Sequence, residues 1–185
     1  MDVVSEGTIS ELLPLVSDQR REEALKYKHL FGQFACLKSY VMLRELLEQQ
    51  GLSHPFIFVH NEHGKPFLKD HPEVHFNLSH CPGAALCVVA PAPVGCDIEA
   101  VPRRLDMELC AHVCSDAEIS AILAHPAPAL AFIRLWTRKE AFLKYTGEGL
   151  SGNLKELLLH PDAQAGRFIS EASSDNAYVW SVFSM

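Results

Sequence analysis

The sequence contains no run of eighteen apolar residues, so no helix is expected to span a bilayer. Met1 to Glu6 holds two acids and no base, and no apolar stretch follows, which argues against a secretory leader. No CxxC pair occurs among the six cysteines, Cys36, Cys81, Cys87, Cys96, Cys110 and Cys114. A chain of 185 residues buries about 70% of its unfolded surface and needs no covalent staples. The thiols are therefore expected to be reduced and mostly buried, in a cytoplasmic protein. Cys110, His112 and Cys114 make a poor zinc cluster, because on a helix His112 points roughly 160° away from the two cysteines. Basic residues are also short: 16 Lys and Arg face 23 Asp and Glu, a net charge of −7, which disfavours general nucleic-acid binding. Low-complexity segments and linkers are missing too.

What is present suits an ordinary globular chain, 48% hydrophobic and 21% charged. Residues 8–50 carry apolar side chains near a period of 3.6 and end at Gly51, which predicts helices. Phe56–Val59, Val74–Leu78, the unbroken apolar run Ala84–Ala90 and Val94–Glu99 predict strands, the third buried on both faces. Ser115-Asp-Ala-Glu118 is a capping box that starts a helix at Ser115. A longer helix is expected from about Ala129 to Tyr145, stopped by Gly147. Short strands are expected near Leu157–Leu159, Gly166–Ile169 and Tyr178–Phe183. Helices, strands, helices, strands implies an α+β fold of two similar halves, residues 1–95 and 96–185.

Three segments carry chemistry. In Gly95-Cys-Asp97-Ile-Glu99, the two carboxylates sit at i and i+2 on a strand and share a face. Held together they repel, unless a hard cation such as Mg²⁺ joins them or the face is simply a solvated strand edge. In Trp136-Thr-Arg-Lys-Glu140-Ala-Phe-Leu-Lys144-Tyr-Thr-Gly147-Glu-Gly149-Leu150, the residues Trp136, Glu140 and Lys144 line one helix stripe. Glu140 and Lys144 are either an exposed salt bridge or a third acid beside a phosphate clamp. Phe76-Asn-Leu-Ser79-His80, preceded by Gly64-Lys65-Pro66, ends a strand with a hydroxyl and an imidazole. That is either a polar strand terminus or a phosphate contact. Without a G-x-S-x-G frame, Ser79 is not a nucleophile.

In order, G-K-P, F-N-x-S-H, G-x-D-x-E and W-T-x-K-E-A-x-x-K-x-x-G-x-G-L resemble the 4′-phosphopantetheinyl transferase superfamily, in its Sfp-type branch of two similar halves. The resemblance runs over about residues 18 to 150. It implies transfer of the 4′-phosphopantetheine arm of coenzyme A to a serine of an apo acyl or peptidyl carrier protein, releasing adenosine 3′,5′-bisphosphate. It further implies that coenzyme A lies between the halves and that Asp97, Glu99 and Glu140 hold Mg²⁺ on its pyrophosphate. Lys144 would contact those phosphates, and Ser79 and His80 the 3′-phosphate. Lys65 and Arg20 would be further phosphate contacts, and Glu140, directly or through a metal-bound water, the base for the incoming serine. Arg103-Arg104 and the group Arg134, Arg138, Lys139 and Lys144 would steer an acidic carrier. The chain departs from the family pattern near its first helices, where Glu23 and Ala35 stand at positions expected to be basic and Lys38 or Arg44 are the replacements. The competing readings are a catalytically silent relative that binds coenzyme A or carrier, and another Mg²⁺-dependent phosphohydrolase.

Overall fold

The computed structural model describes residues 4–149 and 153–185. Leu150, the last residue of the long motif, and Met1–Val3 lie outside the described residues. Three helices come first: α1 (Glu6–Leu12), α2 (Asp18–Leu25) and α3 (Leu30–Gln49). Ser5 and Ser17 cap the first two, their hydroxyls accepting from the backbone N–H of Thr8 and Arg20. Gly51, at φ 84°, takes the chain out of α3 where a side chain would be strained. The helices enclose a core of Ile9, Val16, Ala24, Cys36, Leu37, Tyr40 and Val41.

Further along α3, on the stripe that carries Cys36 and Tyr40, Leu43 and Leu47 pack against Phe56, Leu68 and Phe76. Those last residues belong to the strand region. Strand β1 (Phe58–His60) pairs with β2 (Pro66–Leu68), and β3 (His75–Cys81) pairs with β4 (Ala84–Ala90), both antiparallel. The first strand thus starts two residues later than its apolar run predicts. The run Ala84–Ala90 is a strand with those bounds, but every residue in it is only half-buried, not enclosed on both faces. Among the described residues it has a hydrogen-bonded neighbour on one side alone, β3, so it forms the rim of a two-stranded hairpin.

Strand β5 (Val94–Ala100) opens a three-stranded sheet of order β5-β7-β6, with β6 at Arg167–Ala172 and β7 at Tyr178–Ser184. Two short helices, α4 (Met107–Val113) and α5 (Asp116–Ala124), lead to the long α6 (Pro128–Thr146). The capping box at Ser115 is formed in both directions, and Gly147 ends α6 in the left-handed conformation, φ 69°. Leu157–Leu159 is a 3₁₀ turn rather than a strand. It feeds α7 (Pro161–Ala165), where Pro161 sits at the first helical position that suits its fixed φ. The chain is thus a mixed α+β protein. Among the described residues no helix is long and apolar enough to cross a membrane.

Helix α6 lies across the sheet, and Gly95 makes that approach possible. A Cβ there would overlap the backbone of Ala141 and Tyr145 on α6. Gly95→Ala should therefore push α6 off β5, at a cost of about 1–3 kcal/mol; urea unfolding of the variant checks this.

All six cysteines are free thiols, and five are buried. Burial pushes Cys81 up to about 11, and Cys87 and Cys114 up to about 12. These three should resist iodoacetamide at pH 8 until the chain unfolds, as peptide mass spectrometry would show. The unfolded thiols ionise first, so their contribution to stability is full below about pH 9 and falls as pH rises through the folded values.

Candidate active site

The two strand systems meet along a seam without a ladder. Asn77 Oδ1 accepts from the backbone N–H of Cys96 at 2.9 Å, and Ser79 Oγ accepts from that of Ile98 at 3.3 Å. Side chains from alternate positions of β3 thus satisfy the outward N–H groups of β5. Asn77 is in the F-N-x-S-H pattern but carried no assigned role in it. Two polar residues at i and i+2 of an otherwise apolar strand are the signal for such a seam.

At that seam stands Asp97, 2% exposed. Its Oδ1 accepts from Ser79 Oγ at 2.7 Å and from Lys144 Nζ at 2.7 Å. Lys144 also donates to Ser79 Oγ at 2.9 Å. Within the salt-bridge distance Lys144 therefore pairs with Asp97. The other oxygen, Asp97 Oδ2, is buried and has no hydrogen-bond partner among the described residues. A charged oxygen left so is costly. Glu99 and Glu140 lie within electrostatic reach. Glu99 is pushed up to about 7, first by burial, then by Asp97, with Lys144 opposing and Glu140 adding a smaller push. Glu140 is raised by burial and by Asp97, again against Lys144. Among the described residues no three acids, histidines or cysteines stand close enough to form a finished metal site. An unpartnered carboxylate oxygen flanked by two acids that resist ionising is nonetheless a donor set suited to a hard cation.

His80 follows on β3. Burial and the Lys144 ammonium hold its imidazole below the usual value, and Arg20 adds a smaller push in the same direction. Arg20, on α2, pairs with Glu23 at 3.1 Å and lies over the ring of Tyr40. The fold therefore brings Arg20, Ser79, His80, Asp97 and Lys144, spread over 125 sequence positions, into one corner beside Glu99 and Glu140. Of the two replacement bases, Arg44 donates to the carbonyl of Leu15, while Lys38 is half-buried on α3.

A cleft of about 270 Å³ opens beside it, lined by Lys65, Pro66, Asn77, Glu140, Lys144 and Gly147 among others. Lys65 reaches this wall but is already engaged. Its Nζ donates to the carbonyl of Tyr145 at 2.8 Å and to that of Val94 at 3.5 Å. Asn61, in the same turn, donates to the carbonyl of Gly147 at 3.0 Å. The turn thus satisfies open carbonyls at the end of α6 from outside the helix, and fixes the end that carries Lys144.

The late basic group does not form a surface patch. Lys139 has no exposed surface, and its Nζ donates to the carbonyls of Val113 and Leu154 and to Glu118 Oε2. Three acceptors offset the burial of its charge, so it anchors α6 to α4, α5 and the Leu154 turn and takes no part in steering. The guanidinium of Arg138 lies over the Phe168 ring. Arg103, Arg104 and Arg134 remain exposed.

The sequence profile of the 4′-phosphopantetheinyl transferase superfamily matches residues 93–184, the span that holds β5, α6 and β7. The 4′-phosphopantetheinyl transferase psf-1 of Bacillus pumilus is 31% identical, over 94% of this chain and 81% of its own. This chain belongs to the 4′-phosphopantetheinyl transferase superfamily. The transferase Sfp of Bacillus subtilis strain 168 is 29% identical over 92% of this chain and 79% of its own. The transferase AcpT of Escherichia coli K12 is 37% identical over 48% of each. Superfamily membership accounts for the order of the motifs. The site geometry adds where each motif stands: β3 forms the seam, β5 carries Asp97 and Glu99, and α6 carries Glu140 and Lys144.

Proposed function

We propose that this transferase moves the 4′-phosphopantetheine arm of coenzyme A onto a serine of an apo acyl or peptidyl carrier protein and releases adenosine 3′,5′-bisphosphate. The observation that carries the reading is the buried, half-satisfied Asp97 beside Lys144, at the seam where β3, β5 and α6 meet. Coenzyme A would lie in the cleft between residues 1–95 and 96–185, a division that falls inside β5.

Asp97, Glu99 and Glu140 would hold Mg²⁺, which would supply Lewis-acid stabilisation of the charge that grows on the pyrophosphate. Lys144 would contact the same phosphates, leaving Asp97 in part as the anion arrives. Glu140, whose carboxylate binds a proton more readily than usual, would take the proton of the incoming serine. Ser79 would hold Asp97 in place as well as lie near the phosphates. Lys65 and Arg20 would be further phosphate contacts, although both have protein partners without ligand. Arg103 and Arg104, exposed beside Met107, suit an acidic carrier. Free thiols suit a cytoplasmic setting.

The test is to incubate the protein with coenzyme A, Mg²⁺ and an apo carrier and to weigh the carrier. A gain of one phosphopantetheine supports the reading. Nucleotide release without carrier modification makes the protein a phosphohydrolase, and binding without either makes it a silent relative.

His80 gives a finer check. Wild type should bind coenzyme A more tightly than dephospho-coenzyme A, and His80→Ala should lose most of that preference in calorimetry. An unchanged preference would leave His80 as a polar strand end.

A further inference from the structure

The three-stranded sheet has an open edge at β6, and the sequence of that edge is self-complementary. Among the described residues β6 pairs only with β7, which leaves its far side unpaired. Which groups face outward follows from the seam at the other end of the sheet. Cys96 and Ile98 send their N–H groups to Asn77 and Ser79, away from β7. Their β7 partners, Val182 and Trp180, therefore turn their N–H and C=O to β6, where they meet Ile169 and Glu171. Backbone groups alternate along a strand, so those of Phe168, Ser170 and Ala172 point outward. Among the described residues, no hydrogen bond reaches them from that side.

The side chains add a pattern. Arg167, Ile169 and Glu171 alternate with half-buried neighbours and stand exposed on the face away from α6; Ile169 is 42% exposed. Let a second β6 run antiparallel to the first, with a two-fold axis through Ile169. Phe168 then faces Ser170 of the other copy, and both present outward backbone groups, as a hydrogen-bonded pair requires. Ile169 faces its own mate at a non-hydrogen-bonded position, where Cα atoms approach to about 4.5 Å. Arg167 of each copy meets Glu171 of the other. Shifting this register by two residues breaks both the ionic pairs and the Ile169 contact.

We propose that two copies of this chain join through β6 about a two-fold axis at Ile169, forming one continuous sheet. Isologous pairing of this kind closes the assembly at two chains. A single strand pair buries less than the about 1,000 Å² usual for a permanent interface, so the dimer is concentration-dependent. Strand β6 is at the end of the sheet opposite β5, so the Asp97 site stays open in the dimer.

Sedimentation of the full chain from micromolar to near-millimolar concentration should show a monomer–dimer equilibrium. Arg167→Glu alone or Glu171→Arg alone should each weaken it about tenfold or more, since two cross-strand pairs become repulsive at once. The double variant should restore it, because its charges are complementary again. Ile169→Cys should give a disulfide-linked dimer under oxidised glutathione, whereas Arg167→Cys should not. Carrier modification by a monomeric single variant should match wild type. A chain that stays monomeric throughout would overturn the proposal. So would a dimer indifferent to the single charge reversals, or a double variant no better than the singles.

Discussion

Lys144→Met is expected to lower transfer by about 10²- to 10³-fold at saturating coenzyme A and Mg²⁺, the usual cost of losing a donor to charge that develops in a transition state. An exposed helix-face pair would give at most about 1 kcal/mol of stability and almost no rate effect. Lys144 differs from such a pair because its partner side chain, Asp97, is 3% exposed. Removing the ammonium leaves that carboxylate without its counter-charge, while its second oxygen already lacks a partner. Breaking a fully buried pair costs about 3–5 kcal/mol, and the 30% exposure of Lys144 reduces that figure here. The variant should therefore lose stability as well as rate, and added Mg²⁺ should raise its melting temperature more than that of wild type. Lys144→Arg keeps the charge but changes its shape, and should recover part of the rate. Near-wild-type turnover in Lys144→Met would show that the lysine only balances Asp97.

Asp97→Asn separates the two halves of that argument, because it should fail in rate without failing in stability. The amide keeps the shape and an acceptor for Ser79 and removes a buried charge, while its NH2 takes the place of the unpartnered oxygen. Lys144 loses its ionic partner but keeps Ser79 and reaches water. These effects oppose each other, so unfolding free energy should change little. Transfer should fall by at least about 100-fold, beyond the 10- to 100-fold typical of residues that merely support metal ligands. A Mg²⁺ titration should shift to higher concentration in the variant. Full activity of Asp97→Asn in the presence of chelator would remove the cation site from the mechanism.

Much of the site was legible in the sequence because its parts lie on regular elements. The alternation of Gly95, Asp97 and Glu99 follows from the strand period, and that of Trp136, Glu140 and Lys144 from the helix period. The opposing element of each was not legible. Glu140 and Lys144 are four apart, which suggests a local pair, yet Lys144 bonds Asp97 across 47 positions. Lys139 resembles its basic neighbours in sequence and is buried only because Val113, Leu154 and Glu118 converge on it. The apolar run Ala84–Ala90 looks enclosed, and its exposure depends on how many strands joined its sheet.

The sequence by itself determined which segments are helix and strand over most of the chain, where α5 and α6 begin or end, and which family the ordered motifs resemble. Those properties rest on local sterics, capping and periodicity, which act within a few residues. Tertiary structure alone decided that β3 joins β5 through side chains, that the Asn61–Lys65 turn holds the end of α6, and that one oxygen of Asp97 is left without a partner. Partners of buried polar groups are chosen by whichever chain segments arrive beside them. The cost of an unpaired charge depends on the water those segments exclude, and neither quantity is a property of any one stretch of sequence.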